Sequence, residues 1–507
     1  MSVESRGDTC RNSSLEGESG FEVSLLMFPN VDPRLYLNRR TFLGGAGLGL
    51  GTAALASLLD ADLPRGMAAE QSVAMDAAAL ASHIAPRAKR VIFLYMSGGP
   101  SHLETFDHKP KLEGLDGQPM PDSFTRGQPI AQLQGQELKC LRPLFKFAKH
   151  GQSGQEIADI LPHIATIADD IAIVRSMQTD QINHDPAHTV MNTGTSISGR
   201  PSMGAWITYG LGSECRNLPG FVVFTSEGGR NPQPIASRQW GAGFLPPRHQ
   251  GVQFFTPGDP VHYVANPPGV SSQQQQSLVE TISRLNRRRN ETLADPEIEA
   301  RVSQYELAFR MQSSIPQLMD FSDEPKHILD MYGATGANGT FAANCLLARR
   351  LVERGVRFIQ LYHRDWDHHG DLVHYMKICC GLCDQPSAAL VRDLKQRGLL
   401  EDTLIIWGGE FGRTPMFQGK GKEPGRDHHM RGFSMWLAGA GIRGGLTYGA
   451  TDDLGYNAVE NPVHVRDLHA TMLHLLGIDH ERLTFYHNGI KRRLTNVHGE
   501  VVRAILS

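Results

Sequence analysis

The sequence predicts an α/β fold, a doubly wound and mostly parallel sheet with helices on both faces. From Arg87 onward, short β-rich runs alternate with helical patterns, and several of these runs end directly in clusters of polar residues. The six predicted strands are Arg90–Met96, Asp170–Arg175, Phe221–Phe224, Val356–Tyr362, Thr403–Trp407 and Phe433–Ala438. Ligands of open α/β sheets bind beyond the carboxyl ends of the strands, so the polar clusters mark the predicted functional edge.

The composition of the chain limits the kinds of molecule that it is expected to bind. The chain has 507 residues, enough for one large domain with insertions or for two domains. Its formal net charge is only -3, so the chain has no excess of positive charge that would favour binding to nucleic acid or to an anionic membrane surface. We therefore expect a small-molecule partner and no nucleic acid. The seven cysteines form no disulfide framework, and the pair Cys380 and Cys383 has no second pair to complete a zinc site, so structural thiols are favoured.

The N-terminal region predicts export. Arg39 and Arg40, followed by the glycine-rich apolar run 44–59, resemble a twin-arginine signal. The signal predicts passage through the twin-arginine translocase and a periplasmic or secreted location. Glycines dilute the apolar run, so we expect no stable membrane span. Residues 1–69 are predicted to be an N-terminal extension with the signal, and residues 70–507 the folded domain.

Within that domain, residues from about 231 to 320 are predicted to form an insertion or cap. The composition between Asn231 and Val270 shifts to Pro, Gly, Gln and aromatic residues, and a long polar helical pattern follows from Ser271 to about Ser314.

The first polar cluster follows the first predicted strand. Gly98, Gly99 and Pro100 allow a tight turn that directs Ser101 and His102 towards the sheet edge. We predict that Ser101 and His102 bind substrate. The alternative is a simple turn between strand and helix, with Ser101 as the helix cap.

The second cluster contains His184 and His188, four residues apart, with Pro186 suited to the first turn of a helix. On a helix the two rings share one face and can reach one metal ion. The alternative is a capped helix start with solvated histidines.

The third cluster spans His363–Asp371 and includes Asp367 and His369. Three His and three Asp within nine positions are costly to crowd at a sheet edge without a cation. The fourth cluster joins Glu410 with Asp427 and His428, a set that suits zinc, calcium, magnesium or manganese. Arg413 or Arg426 is predicted to hold an anionic substrate group through its guanidinium fork.

Four segments together resemble the secreted bacterial proteins of domain-of-unknown-function family 1501. They are Tyr95–Asp107, Ile182–His188, Gly408–Pro415 and Val465–Gly499. The family is grouped by fold with the alkaline phosphatase and sulfatase superfamily, so the resemblance implies an alkaline phosphatase-like core with an inserted cap. It is specific for family membership and much less specific for function, because one fold hosts many activities.

The resemblance also implies roles for single residues. His184 stands where sulfatases carry their nucleophilic Cys, so the usual covalent ester chemistry does not carry over. Three roles remain for His184: metal ligand, nucleophile that forms a phosphohistidine, or general base for water, of which we favour the ligand. Glu410 maps onto a metal-binding Asp of the superfamily, Phe411 offers no second ligand, and His428 lies near a late zinc ligand.

The sequence therefore predicts a metal-dependent hydrolase of phosphate or sulfate esters in the cell envelope, acting on a small-molecule or glycan ester. One or two divalent ions, zinc, calcium or manganese, are predicted to bind to His184, His188, Asp367, His369, Glu410, Asp427 and His428. His184 and Arg413 are the predicted catalytic residues, and Ser101, His102 and Arg426 the predicted substrate-binding residues. The alternatives are a non-catalytic metal-binding or ligand-binding protein on the same fold and an envelope scaffold without metal.

Overall fold

The computed structural model describes residues 83–229, 235–256, 260–261, 266, 269–293, 296–420 and 423–507. The predicted twin-arginine segment and parts of the predicted cap lie outside the described residues. All described residues belong to one compact unit, Arg65–Ser507. Within the described ranges, no helix combines the length and apolarity needed to cross a membrane.

A nine-stranded sheet forms the centre of the molecule. Its strands are β1 (Arg90–Met96), β2 (Ile171–Gln178), β3 (Phe221–Ser226), β4 (Val252–Gln253), β5 (Phe358–His363), β6 (Thr403–Gly408), β7 (Phe433–Ala438), β8 (Leu446–Tyr448) and β9 (Val463–His464). Their order is β8-β2-β7-β6-β1-β5-β3-β4, and β9 also pairs with β2. Strand β7 runs antiparallel to both neighbours, and the other pairings are parallel, which confirms the predicted mostly parallel sheet.

The central strands are buried on both sides, which explains their nearly continuous apolar sequences. In β1, Ile92 and Leu94 belong to one hydrophobic core, whereas Val91, Phe93 and Tyr95 belong to a second core on the opposite face. Alternate side chains of a strand point to opposite faces, so one strand supplies both cores.

Helices cover both faces of the sheet, as predicted. Ten helices lie within the described ranges: α1 (Lys111–Gly114), α2 (Asp122–Thr125), α3 (His184–Thr193), α4 (Met203–Leu211), α5 (Ser272–Leu293), α6 (Pro296–Met319), α7 (Lys326–Tyr332), α8 (Phe341–Glu353), α9 (Leu372–Gln396) and α10 (Val465–Leu475). Helices α8 and α9 contribute to the first core, and α4 and α10 to the second. Helices α5 and α6, which pack against each other, fall in the predicted cap.

Short strand pairs decorate this core. They are Phe147–His150 with Gln155–Ala158, Gly412–Arg413 with His428–His429, Gln418–Lys420 with Glu423–Gly425, Ala450–Thr451 with Ala458–Glu460, and Phe485–His487 with Ile490–Arg492. The six cysteines among the described residues are free, and all except Cys215 are buried.

The strand register sets where the functional edge lies. Met96 of β1 is level with His363 of β5, and Tyr95 is level with Gly408 of β6, so these three strands end together. Because β7 is antiparallel, the segment that enters it arrives at the same edge. The loops after β1, β5 and β6 and the loop before β7 therefore meet at one place.

Candidate metal centre

Four segments of the chain bring predicted ligands to this edge. His184 is the first residue of α3, which follows β2, and Asp367 and His369 lie in the loop after β5. Glu410 follows β6, and His428 pairs with Arg413 in the short strand pair that precedes β7. The carboxyl ends of parallel strands gather side chains that are far apart in the sequence.

One carboxylate oxygen lies at the centre of the largest group. Asp367 Oδ1 is 3.1 Å from His184 Nε2, 2.8 Å from His369 Nε2 and 3.1 Å from His428 Nε2. These four potential ligand atoms all lie within 4.8 Å of one another, and we call the four residues the Asp367 cluster. His369 is the most exposed member, with 21% of its side chain accessible, so the cluster reaches solvent on that side.

Each of the three histidines in the Asp367 cluster forms a hydrogen bond through Nδ1, the ring nitrogen that does not face Asp367. The acceptors at Nδ1 are Glu410 Oε1 for His184 (2.7 Å), Gln418 Oε1 for His369 (2.6 Å) and the Ile182 carbonyl oxygen for His428 (3.0 Å). An acceptor at Nδ1 places the ring proton there and leaves a lone pair on Nε2. The buried His184 Nε2 accordingly makes no hydrogen bond within the described part of the chain. Three Nε2 atoms thus approach one carboxylate oxygen, where a cation would take the place of the ring protons.

A second group lies deeper in the molecule. His184, His188 and Glu410 also place one ligand atom each within 4.8 Å of one another. His188 Nδ1 is 2.7 Å from the Tyr95 hydroxyl and 3.6 Å from Glu410 Oε2, and His188 and Glu410 are fully buried. The Gly98 amide donates to Glu410 Oε1 at 3.0 Å, with a φ of 120°. A Cβ at Gly98 would lie 2.6 Å from the Asp367 amide nitrogen, so this close approach requires glycine.

The pKa values of the site residues indicate which side chains are ionised. Burial opposes ionisation of Asp367, but Arg413 and the neighbouring histidines hold its pKa far below the usual range. Burial likewise opposes ionisation of Glu410, yet His188 and His184 lower its pKa to about 2. Burial lowers the pKa of His428 to about 3 and that of His188 to about 4. Burial opposes protonation of His184, but hydrogen bonds to Asp367 and Glu410 raise its pKa. The site therefore holds two carboxylates, two neutral imidazoles (His188 and His428) and a His184 ring whose proton a divalent cation would displace.

Arg413 supports this site from inside the protein. Its Nη2 lies 2.7 Å from Asp367 Oδ1, its Nε donates to the Gly99 carbonyl oxygen at 2.8 Å, and its side chain is 1% exposed. Nη2 also donates to the carbonyl oxygens of Gly98 and Trp366. The structure does not support the predicted catalytic contact of Arg413 with substrate, because the guanidinium is buried and neutralises Asp367.

The predicted substrate-binding residues also lie inside the fold. Arg426 Nη2 pairs with Glu104 Oε1 at 2.7 Å, with both side chains fully buried. The Ser101 hydroxyl donates to Glu104, and His102 Nε2 bonds to the Gly455 carbonyl oxygen at 2.8 Å. Ser101, His102 and Arg426 are at most 1% exposed, so the structure does not support their predicted contact with substrate.

Asp427 is the predicted ligand that the structure leaves outside both groups. Its Oδ2 accepts hydrogen bonds from the amides of Gln132 and Leu133 at 2.7 and 2.8 Å, and Oδ1 accepts from the His428 amide at 2.8 Å. Both oxygens are therefore occupied in holding the backbone beside His428. Asp427 therefore lies outside both groups, and its role as a ligand stays a prediction.

Sequence reasoning missed Gln418, Gln132 and Tyr95. Gln418 bonds to His369, and Gln132 Nε2 lies 3.1 Å from His369 Nε2. Neither glutamine has a sequence signal, because Gln132 lies in a loop and Gln418 in a three-residue strand, and no motif includes either. Tyr95 stands in the first motif, and its place next to the end of a buried strand was a usable signal.

Comparison with known proteins identifies a family. The sequence model of the family described as "Protein of unknown function (DUF1501)" matches residues 88–506. The comparison with curated proteins gives no match.

Among solved structures, the PsFucS1 sulfatase from Pseudoalteromonas sp. is similar, with 13% identity, 81% of this chain and 72% of that chain covered, and a TM-score of 0.31. The phosphonate monoester hydrolase SpPMH from Silicibacter pomeroyi has 12% identity over 68% of this chain and 71% of that chain, with a TM-score of 0.29. The alkaline phosphatase from the Antarctic bacterium TAB5 has 10% identity over 70% of this chain and 92% of that chain, with a TM-score of 0.26. Likeness of this degree says nothing about activity.

Proposed function

We propose that the chain, which belongs to the DUF1501 family, is a metal-dependent hydrolase of phosphate or sulfate esters. The observation that carries this proposal is the convergence of three histidine Nε2 atoms on Asp367 Oδ1. Each of these rings is oriented by an acceptor at Nδ1, the arrangement that oriented histidine ligands of metals adopt.

The residues fit a cation on chemical grounds. Arg413 Nη2 contacts Asp367 Oδ1 at 2.7 Å, and the three Nε2 atoms approach the same oxygen from other sides. With the ring protons on Nδ1, a cation among these atoms would accept the three Nε2 lone pairs. His184 Nε2 is a buried polar atom without a hydrogen bond in the described ranges, as expected of a ligand whose partner is a cation.

The donor set also bears on the identity of the ion. Three imidazole nitrogens and one carboxylate oxygen suit zinc or manganese, whereas calcium prefers oxygen donors throughout. We therefore favour zinc or manganese over calcium, bound by His184, Asp367, His369 and His428. Glu410 and His188 lie on the other side of His184, where Glu410 orients that ring or, with a second ion, binds it directly.

The ion would supply Lewis-acid polarisation of an ester oxygen. Arg413 lowers the pKa of Asp367, so this side chain stays ionised, and the ion pair holds the carboxylate in place. His184 has one nitrogen bonded to Glu410 and the other directed at Asp367. This geometry favours the ligand over the two other roles that the sequence left open for His184, nucleophile and general base.

Metal analysis with ester hydrolysis tests the proposal. We expect the purified mature protein to contain zinc or manganese near one ion per chain and to hydrolyse members of a panel of aryl phosphate and aryl sulfate esters. His428→Ala should lose both metal and turnover, whereas His327→Ala, which alters an exposed histidine of α7, should keep both. A protein without bound metal, or a His428→Ala variant with full metal content, contradicts the proposal.

One observation favours a second candidate, a non-catalytic metal-binding protein. The Asp367 cluster offers four protein donors, which is enough for a closed tetrahedral zinc site, whereas catalytic zinc sites usually keep one position open. Stoichiometric metal without turnover on the whole ester panel favours this candidate. A scaffold without metal is contradicted by the same metal measurement.

We also propose that the protein acts in the cell envelope. This proposal rests on the twin-arginine pair Arg39 and Arg40 and on residues 1–69 as a signal-bearing extension, all outside the described residues. Replacing both arginines by lysine should retain the protein in the cytoplasm, as cell fractionation will show. Export of the double variant at the normal level contradicts the proposal.

A further inference from the structure

A second polar pocket lies at the opposite end of α3 from His184. Its volume is about 100 Å³. The polar residues that line it and can bind a ligand are Thr195, Arg200, Arg492, Arg493 and Asn496. We call it the arginine pocket. One water needs only about 10–15 Å³ of such space, so the pocket accommodates a group several times larger.

The positive charge of this pocket exceeds the negative charge near it. Arg493 Nη1 is paired with Glu481 Oε1 at 3.0 Å. In contrast, Arg200 and Arg492 form no ion pair with a carboxylate anywhere in the described ranges. The Arg200 guanidinium lies over the Phe244 ring, 5.6 Å from its centre, and the buried Arg492 Nε has no hydrogen-bond partner among the described residues. Two guanidinium groups therefore line the pocket without a carboxylate counter-ion among the described residues.

Hydrogen-bond donors accompany the charges. The Thr195 hydroxyl accepts a bond from the Ile197 amide at 3.3 Å, which leaves its own proton to donate. The exposed Asn496 side chain offers an amide at the rim. Arginine forks bind oxyanions through paired, charge-assisted hydrogen bonds, and donors that arrive from several directions suit the tetrahedral oxygens of sulfate or phosphate.

Helix α3 connects the Asp367 cluster, at its first residue, with the arginine pocket, which its last residue lines. Helix α3 runs from His184 to Thr193, which at the α-helical rise separates the two ends by ~14 Å. Arg466 Nε donates to the Gly194 carbonyl oxygen at 2.8 Å, and Arg466 follows β9, which pairs with the carboxyl end of β2. The far end of α3 is thus held beside the strand end from which α3 starts.

We propose that the arginine pocket binds a second sulfate or phosphate group of the same substrate. The substrate is then a polyanion long enough to reach along α3, whose length is ~14 Å, with an oxyanion group for each site. The inference rests on the proposed function, because it takes the Asp367 cluster as the place where the ester is cleaved. Phe244, a half-buried aromatic side chain that also lines the pocket, gives the apolar carrier of these groups a surface to contact.

Calorimetric titration with inorganic sulfate and inorganic phosphate tests the pocket itself. The wild-type protein should bind at least one of them, and Arg200→Gln/Arg492→Gln should weaken that binding at least about tenfold, because both unpaired guanidinium groups are lost. The matched control, Arg284→Gln/Arg288→Gln, removes the same charge from the exposed surface of α5 and should bind as wild type. Absence of binding to wild type, or equal binding to the pocket variant, overturns the proposal.

A second titration distinguishes a substrate group from a free ion. Sulfated maltohexaose should bind the metal-loaded protein at least about tenfold more tightly than glucose 6-sulfate, because one molecule occupies both sites. The pocket variant should lose this gain while its metal content stays normal. Equal affinity for the two sugars overturns the proposal. If bridging is observed without turnover of any ester, the proposed hydrolase function fails while two-site binding of the polyanion stands.

Discussion

The two ends of α3 use charge in opposite ways. At the amino end, His184 meets two buried carboxylates, Asp367 and Glu410, whose pKa values are lowered by histidines and by Arg413. At the carboxyl end, Arg200 and Arg492 have no carboxylate partner within the described ranges. The first end has the donors for a cation, and the second has the donors for an anion. The difference indicates that the fold places two complementary binding functions one short helix apart.

The largest effect is expected at the centre of the amino end. Asp367→Ala removes the oxygen that three histidines and Arg413 approach, so bound metal should fall to near zero by elemental analysis. Breaking a buried pair from one side leaves the Arg413 charge unpaired, and the free energy of unfolding should fall by about 3–5 kcal/mol in urea titrations. Asp453→Ala breaks an exposed pair with Lys111 and should cost at most about 1 kcal/mol. Normal metal content in Asp367→Ala would contradict the proposal that the amino end of α3 belongs to a cation site.

A smaller loss is expected when only the support of His184 changes. Glu410→Gln keeps an oxygen for the Gly98 amide but weakens the bond that orients His184. Altering such an outer partner typically lowers metal affinity by about 10–100-fold, which competition with a chelating dye will measure. The exposed Glu460→Gln serves as the matched control and should leave the affinity unchanged. Unchanged affinity in Glu410→Gln would show that Glu410 does not orient the ligand.

Salt should weaken anion binding at the carboxyl end of α3 much more than metal binding at its amino end. The arginine pocket is partly open to solvent, so raising sodium chloride from roughly 0.05 to 0.5 M should weaken sulfate binding several-fold as screening shortens the reach of the charges. Metal binding at the buried Asp367 cluster should change much less over the same range. Parallel calorimetric titrations measure both affinities. Equal salt dependence at the two ends would mean that they do not differ in exposure as the structure indicates.

The smallest effect concerns His469, which lies in α10 and bonds through Nε2 to the Met191 carbonyl oxygen of α3 at 2.8 Å. Burial lowers its pKa to about 4, below the value of about 6.5 in unfolded chains. The unfolded state therefore binds the extra proton first, and stability present above pH 6.5 is lost as the pH falls towards 4. The slope is up to ~1.4 kcal/mol per pH unit for this group.

His469→Gln should reduce that slope of unfolding free energy against pH, because the neutral amide can still donate to Met191 but does not titrate. His327→Gln, which alters an exposed histidine, should keep the wild-type slope. An unchanged slope in His469→Gln would show that this histidine does not couple the middle of α3 to pH.

Local sequence patterns predicted much of the fold. Strands β1 and β7 match the predicted bounds residue for residue. In β1 the apolar run Val91–Met96 is flanked by the polar residues Arg90 and Ser97, which mark both ends. The other four predicted strands differ from the structure by at most a few residues at their ends. Strand ends depend on pairing with neighbours, which a local pattern does not contain.

The candidate site was predicted less completely. The histidine-rich and aspartate-rich runs identified the segments that meet at the sheet edge. They did not distinguish Asp367, which faces three histidines, from Asp427, which accepts backbone amides. Arg413 and Arg426 looked like substrate-binding groups because a sequence does not show whether a guanidinium is buried against a carboxylate of the same chain.

The sequence by itself determined six of the nine strands of the sheet and the kinds of donor that follow several of them, because these depend on apolar periodicity and residue chemistry. The short strands β4, β8 and β9 have no such local signal. Only the tertiary structure decided which ring nitrogen of His184 faces Asp367 and which acidic residue lies among the histidines. The arginine pocket depends on the fold as well, since Arg200 and Arg492 come from distant parts of the chain and share no motif. Electrostatic interactions act through space over a few ångströms, so their partners are set by packing and not by sequence spacing.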